Sequence, residues 1–179
     1  MTSAEQPFDT LSQDQRLLVG AVQQEKVRVI VIGGYAVRVH GYLRAAEDLD
    51  LLVDPTEENL IGLQRAVTSA GPTWKADRII DHLKSRNKLK WNDVEFFAVM
   101  NDVTFDAANQ TAVCVPLYYS SLLVISKAHL IEAKYIAAAA NDRGEKAQQD
   151  TRDLQALGAT CNRVLEREGL GDDTVQPGT

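Results

Sequence analysis

Asp48 and Asp50 stand one position apart in Glu47-Asp48-Leu49-Asp50-Leu51-Leu52-Val53. The alternating, branched-apolar run around them reads as a strand over 47–53. Side chains repeat every second residue along a strand, so both carboxylates project from one face, their Cα atoms roughly 7 Å apart. Two carboxylates at that spacing can share one divalent ion or hold two ions about 3.5–4 Å apart, an arrangement suited to phosphoryl or nucleotidyl transfer. An Asp-x-Asp is often no more than an acidic strand end. Here the aspartates alternate with Leu49, Leu51 and the apolar Leu52-Val53. Ionised carboxylates on a largely buried strand are expensive unless paired or metal-bound, which favours a functional reading.

The elements that must position this pair come from the same patterns. Leu11 to Gln24 has apolar residues near helical spacing and is expected to be a first helix. Val27 to Ile32 is β-branched and reads as a central buried strand, broken by Gly33-Gly34. A short helix over Ala36 to Tyr42 leads to the aspartate strand. Asp54-Pro55-Thr56-Glu57-Glu58 then opens a helix, with Thr56 as its cap and acids in its first turn, running to about Ala70. One strand is expected near Ile79 to Leu83 or near Lys88 to Lys90. Asp93 to Met100 reads as a third core strand, with short strands at Ala112 to Pro116 and Leu122 to Ile125. An alanine-rich helix over Lys127 to about Ala140 and a helical region from Glu145 to about Glu166 complete a mixed α/β pattern. The resulting division is a flexible 1–9, a core over 10–126, a C-terminal helical region over 127–168 packed on that core, and a disordered acidic tail over 169–179.

Bulk properties set the outer limits. A chain of 179 residues with 45% hydrophobic and 25% charged residues has the composition of a globular domain with a real core. No stretch has the length to span a bilayer, and residues 1–9 lack a signal-peptide pattern, so the expected location is cytoplasmic, with no membrane partner. Cys114 and Cys161 form no CxxC pair and suggest neither zinc nor a disulfide framework. The net charge of −6 is uneven. Between Trp74 and Trp91 lie Lys75, Arg78, Lys84, Arg86, Lys88 and Lys90 against only Asp77 and Asp81. That segment is either a solvated face or an electropositive rim that steers a polyanion such as RNA toward the acidic centre. Trp74 and Trp91 can stack on bases or belong to the core.

The joint string Ile32-Gly33-Gly34-Tyr35-Ala36-Val37, His40-Gly41, Arg44 and Asp48-Leu49-Asp50-Leu51 resembles the nucleotidyltransferase superfamily related to DNA polymerase beta. Within it, the chain looks like minimal bacterial nucleotidyltransferase-like proteins related to the toxins of abortive-infection toxin–antitoxin systems. The resemblance covers roughly residues 10 to 157, with a looser downstream match at Leu130-x-x-x-Lys134, Arg143 and Asp150-x-x-Asp153-Leu154. It implies an α+β fold in which a mixed sheet is flanked by helices. It implies an NTP bound at Gly33, Gly34 and Tyr35, with Lys134 toward its phosphates and Arg143 as a weaker helper; Arg44 either offsets the carboxylates, reaches a phosphate or forms a plain salt bridge. It also implies Mg²⁺, two ions with Mn²⁺ as substitute, on Asp48, Asp50 and a third acid.

By position that third acid is Glu95, where the superfamily more often has Asp; Asp93 is the alternative, on the same face by the two-residue rule. Other departures are Tyr35 in place of a Ser and Ala46 in place of a Thr. His40 is expected to be structural at its turn, and Asp150 and Asp153 to serve helix packing. The acceptor hydroxyl is left open among RNA, a protein and a small molecule, and the toxin-like resemblance adds an antitoxin protein as a partner. A catalytically silent version of the fold, acting as a binding module, is the alternative that Glu95 and Ala46 motivate.

Overall fold

The computed structural model describes residues 6–71, 79–86, 88–101, 103–117, 120–139 and 144–159. In chain order the elements are α1 (Gln13–Gln24), β1 (Val29–Ile32), α2 (Gly33–Val39), β2 (Leu49–Val53), α3 (Glu57–Ala70), α4 (Ile79–Arg86), β3 (Lys88–Trp91), β4 (Val94–Phe97), α5 (Phe105–Thr111), β5 (Val113–Leu117), β6 (Ser120–Val124), α6 (Lys127–Ala139) and α7 (Glu145–Ala156). The six strands form one mixed sheet in the order β3-β4-β2-β1-β6-β5. Seven helices flank it among the described residues, which makes the fold α+β.

The centre of the sheet is its most apolar part. All four residues of β1 are buried, and in β2 only Asp50 is not. β1 runs antiparallel to β2 and parallel to β6, and β2 runs parallel to β4. The parallel β2–β4 pair matters most for the chemistry, because its register fixes which residue stands beside each aspartate.

Several elements differ from the sequence expectation for local reasons. Residues 79–86, one of two places expected to hold a strand, form α4, and the strand is Lys88–Trp91. Asp93 belongs to no strand. It shares a two-residue turn with Asn92, whose φ is +49°, and β4 starts at Val94. β4 also ends at Phe97, well short of Met100. Thr56 occupies the cap position of α3 without a side-chain cap bond. Ahead of the helix, Asp54 Oδ1 accepts from the Thr56 amide at 2.9 Å, an Asx turn that leads the chain into α3. The short α5 has no counterpart in the sequence expectation; the Thr104 hydroxyl caps it by accepting from the Ala107 amide at 3.3 Å. Glu145 to Ala156 is helical as expected, but the helix stops there, with Leu157 as its C-cap and Gly158 at φ +73°; residues 160–166, the tail over 169–179 and residues 1–5 lie outside the described residues.

Gln15 ties α1 to the sheet. Ser12 and Gln15 form a capping box, with Ser12 Oγ accepting from the Gln15 amide and Gln15 Oε1 accepting from the Ser12 amide. The side-chain amide of the fully buried Gln15 also donates to the Glu47 carbonyl at 2.8 Å and the Asp93 carbonyl at 3.1 Å. The Asp93 carbonyl takes a second bond from the Leu49 amide at 2.8 Å. One side chain thus fastens the starts of both β2 and β4. Replacing it with Ala removes both of those bonds from the interior. Gln15→Ala should lower unfolding free energy by about 2 kcal/mol, read as a drop in urea midpoint at unchanged slope.

Candidate active site

Four strands bring one row of side chains together. Lys90 on β3 is opposite Glu95 on β4, Glu95 is opposite Asp50 on β2, and Asp50 is opposite Ile32 on β1. Directly paired residues share a face of the sheet, so Lys90, Glu95 and Asp50 form a line across it. Asp48 lies just before β2, two residues from Asp50. The register therefore places Glu95 directly beside Asp50. Asp93, in the hairpin turn with its Oδ1 buried, is not part of the row.

Gly33 closes the row at the β1 end. Its φ is +62°, a region that disfavours any residue with a Cβ. A Cβ built there would overlap Asp50 Oδ2 and stand 2.8 Å from Asp50 Cγ. The Asp50 carboxylate thus lies against the bare backbone of the strand-to-helix turn. Gly34 plays the same part toward the next layer, where an added Cβ would meet Ala46 Cβ at 3.2 Å and the Arg44 guanidinium at 3.3 Å.

This crowding sets the electrostatics. Burial raises the Asp50 pKa from 3.8 to about 7, and the neighbouring Glu95 and Asp48 charges add to the rise; Lys134 and Lys88 pull the other way. The other two acids have cations in contact. Lys88 Nζ lies 2.7 Å from Glu95 Oε2, and Lys90 Nζ lies 3.0 Å from Asp48 Oδ1 and 3.6 Å from Glu95 Oε1. The hydrogen bond and charge of Asp48 raise the Lys90 pKa, with Glu95 acting in the same direction. From sequence this segment is either a solvated face or a rim for a polyanion; Lys88 and Lys90 are both half-exposed and in contact with the carboxylates. Their signal is the alternation Lys88-Leu89-Lys90-Trp91, exposed-buried-exposed-buried, which puts both lysines on one face.

Arg44 and Lys134 are drawn into a second, separate network. Arg44 Nε and Nη2 donate to the two carboxylate oxygens of Asp153 at 2.7 and 2.8 Å. Lys134 Nζ lies 2.6 Å from Asp150 Oδ1 and 2.7 Å from Asp153 Oδ2. Burial raises the Asp153 pKa, but hydrogen bonds from Arg44 and Lys134 and the Lys134 charge outweigh it, leaving Asp153 below the usual carboxylate range. The two aspartates expected to help helix packing do so by holding these cations.

The remaining expectations divide plainly. Tyr35 is fully buried, stacked on Phe8 at 6.0 Å, and its hydroxyl donates to Gln15 Oε1 at 3.2 Å. Its side chain cannot touch a nucleotide, and only its backbone is near the turn. His40 Nε2 meets the Ile125 carbonyl at 2.7 Å and is structural. Trp91 is buried in the core and is not available to stack on a base. Lys84 is exposed beside Glu57. Trp74, Lys75, Arg78, Arg143 and the side chain of Arg86 lie outside the described residues.

As to a metal, the donors are oxygen-only carboxylates, which suit Mg²⁺ or Mn²⁺. Their mutual repulsion, recorded in the raised Asp50 pKa, is what a divalent cation relieves, and two lysine ammoniums already stand in for positive charge. In this arrangement no three His, Cys, Asp or Glu side chains among the described residues converge on one point. The donor chemistry fits, and gathering the ligands requires Asp48 and Glu95 to exchange their lysines for the ion.

The site is thus an acidic row on a mixed sheet, set beside a glycine turn. No family model matches the sequence, and no curated protein matches it. Among solved structures the chain is similar to the crystal structure of an antigenic nucleotidyltransferase-like protein from Paracoccidioides brasiliensis. The two are 13% identical with a TM-score of 0.49, over 80% of this chain and 74% of that chain.

The geometry makes two outcomes measurable. Gly33→Ala should destabilise the fold by about 2 kcal/mol or more, through backbone strain and displacement of Asp50, measured by chemical denaturation. For Asp50, folded and unfolded chains both hold the proton well below pH 3.8, so its ionisation carries no penalty there. As pH rises toward 7 the unfolded chain ionises first, and stability falls until the folded group also ionises. Asp50→Asn, in EDTA, should therefore be more stable than wild type by about 2 kcal/mol at pH 8. The gap in melting temperature should close as pH falls below the ordinary aspartate range.

Proposed function

We propose that the protein is a divalent-metal-dependent nucleotidyltransferase that moves a nucleoside monophosphate from an NTP to an acceptor hydroxyl. The observation that carries this reading is the in-register row of Asp50 and Glu95, with Asp48 two residues away and the Gly33 turn directly against Asp50. The likeness of the Gly33-Gly34 and Asp48-x-Asp50 string to the polymerase-beta-related superfamily supports the same conclusion.

Asp48, Asp50 and Glu95 would hold Mg²⁺, which when bound supplies charge stabilisation at the transferring phosphate. Gly33, with no Cβ, lets the strand-to-helix turn lie directly against the Asp50 carboxylate, so phosphates held by a metal on that carboxylate would sit beside the turn's backbone. Glu95, on the strand next to Asp50, is the group to accept the proton of the acceptor hydroxyl. Arg44 and Lys134 position the glycine turn and the C-terminal helices, and Lys134 adds positive potential felt at Asp50.

RNA is the acceptor class in this proposal; Lys84, exposed on α4 and 4.0 Å from Glu57, is one basic residue of the 74–91 segment available to it. A toxin role with a neutralising antitoxin protein rests on the resemblance alone.

A second reading has an observation of its own. The ion pairs of Lys88 and Lys90 with Glu95 and Asp48 fit a silent domain in which lysines have permanently replaced metal. Calorimetric titration with each NTP separates the two: metal-dependent binding supports the enzyme, and its absence supports the silent domain. For the enzyme, incubation with labelled NTPs, Mg²⁺ and total RNA should transfer label. Asp48→Ala should reduce transfer by more than about 100-fold while leaving the circular dichroism spectrum unchanged. Retained transfer in that variant would sink the proposal.

A further inference from the structure

Lys90 is bound to the acids in an unusual way for a residue half exposed on an edge strand. Its single ammonium spans carboxylates from two different places in the chain, Asp48 before β2 and Glu95 on β4. Lys88 adds a second contact to Glu95. Among the described residues Asp50, the neighbour of Glu95 across the sheet, has no ion-pair partner. The lysines thus neutralise Asp48 and Glu95 and leave Asp50 unpaired.

An ammonium and a divalent cation compete for the same two carboxylates. A charged lysine has donors only and cannot itself ligate a metal, and at contact distance the two cations repel. Leu89 and Trp91, both buried, pin the backbone of β3, so Lys90 can leave by rotating its own side chain while the strand stays in place. We propose that Lys90 is a built-in surrogate for the divalent cation. It holds Asp48 and Glu95 until the ion displaces it, and so raises the metal concentration that the site requires. The proposal rests on the metal-dependent function and adds regulation of that site. Because exposed ion pairs of this kind are individually weak, the threshold it sets is modest, about fivefold in metal affinity, or about 1 kcal/mol.

Titration of the full chain with Mn²⁺ alone, following the electron paramagnetic resonance signal of the free ion, tests this without any need for turnover. Lys90→Gln should bind Mn²⁺ about fivefold more tightly than wild type. Lys90→Arg, which restores the charge, should return to the wild-type value, and Lys146→Gln, on the exposed start of α7, should match wild type. Equal or weaker binding by Lys90→Gln would overturn the surrogate role. Failure of the underlying metal site reads differently: Asp50→Asn would bind Mn²⁺ as well as wild type, or no variant would bind it. Either result would overturn both proposals together.

Discussion

Carboxylates gathered on one buried face lose hydration and repel one another at once, and this cluster can exist only where positive charge is supplied from outside the strand that carries Asp50. The molecule supplies it from two directions. Lys88 and Lys90 reach in from the edge strand β3, and Lys134 acts on Asp50 from α6. Neither source fully compensates Asp50, whose pKa stays near 7. Burial is the main cause, and an apolar residue at position 50 would carry no such penalty.

The second electrostatic node serves a different purpose. Asp153 is fully buried and holds both Arg44 and Lys134, while Asp150 shares Lys134. These contacts join α6, α7 and the segment before β2 into one unit. Arg44 in turn packs against Gly34, at the turn that carries the site. The C-terminal helices are thereby linked to the glycine turn by charge as well as by packing. A buried pair of this kind is fragile to loss of either partner, because the remaining charge has nowhere to go.

Much of the architecture is legible because it rests on local rules. The strands at Val29–Ile32 and Leu49–Val53 follow from β-branched and alternating apolar runs. The helix over Gln13–Gln24 shows both its apolar spacing and the Ser12–Gln15 box that starts it. The misplacements arise where tertiary context overrides local pattern. Asp93 carries the alternation of a strand, yet Asn92 takes a left-handed conformation and turns the hairpin there. The resemblance implies a nucleotide at Tyr35, but α2 aims its ring at Phe8 and Gln15.

The sequence by itself determined the pair Asp48 and Asp50, the glycine turn before them and the strands that flank it. All of these are set by residue type and by a period of two that holds within a single segment. Only the tertiary structure decided that Glu95, and not Asp93, completes the row, that Lys90 lies across it, and that Arg44 and Lys134 belong to Asp153. Those are questions of register between strands and of which helix returns to which loop. Lys90 and Asp48 are 42 residues apart in the chain, and Arg44 and Asp153 are 109 apart. No local periodicity reaches that far. Burial of the apolar faces settles the register, and the charges are carried into contact with it.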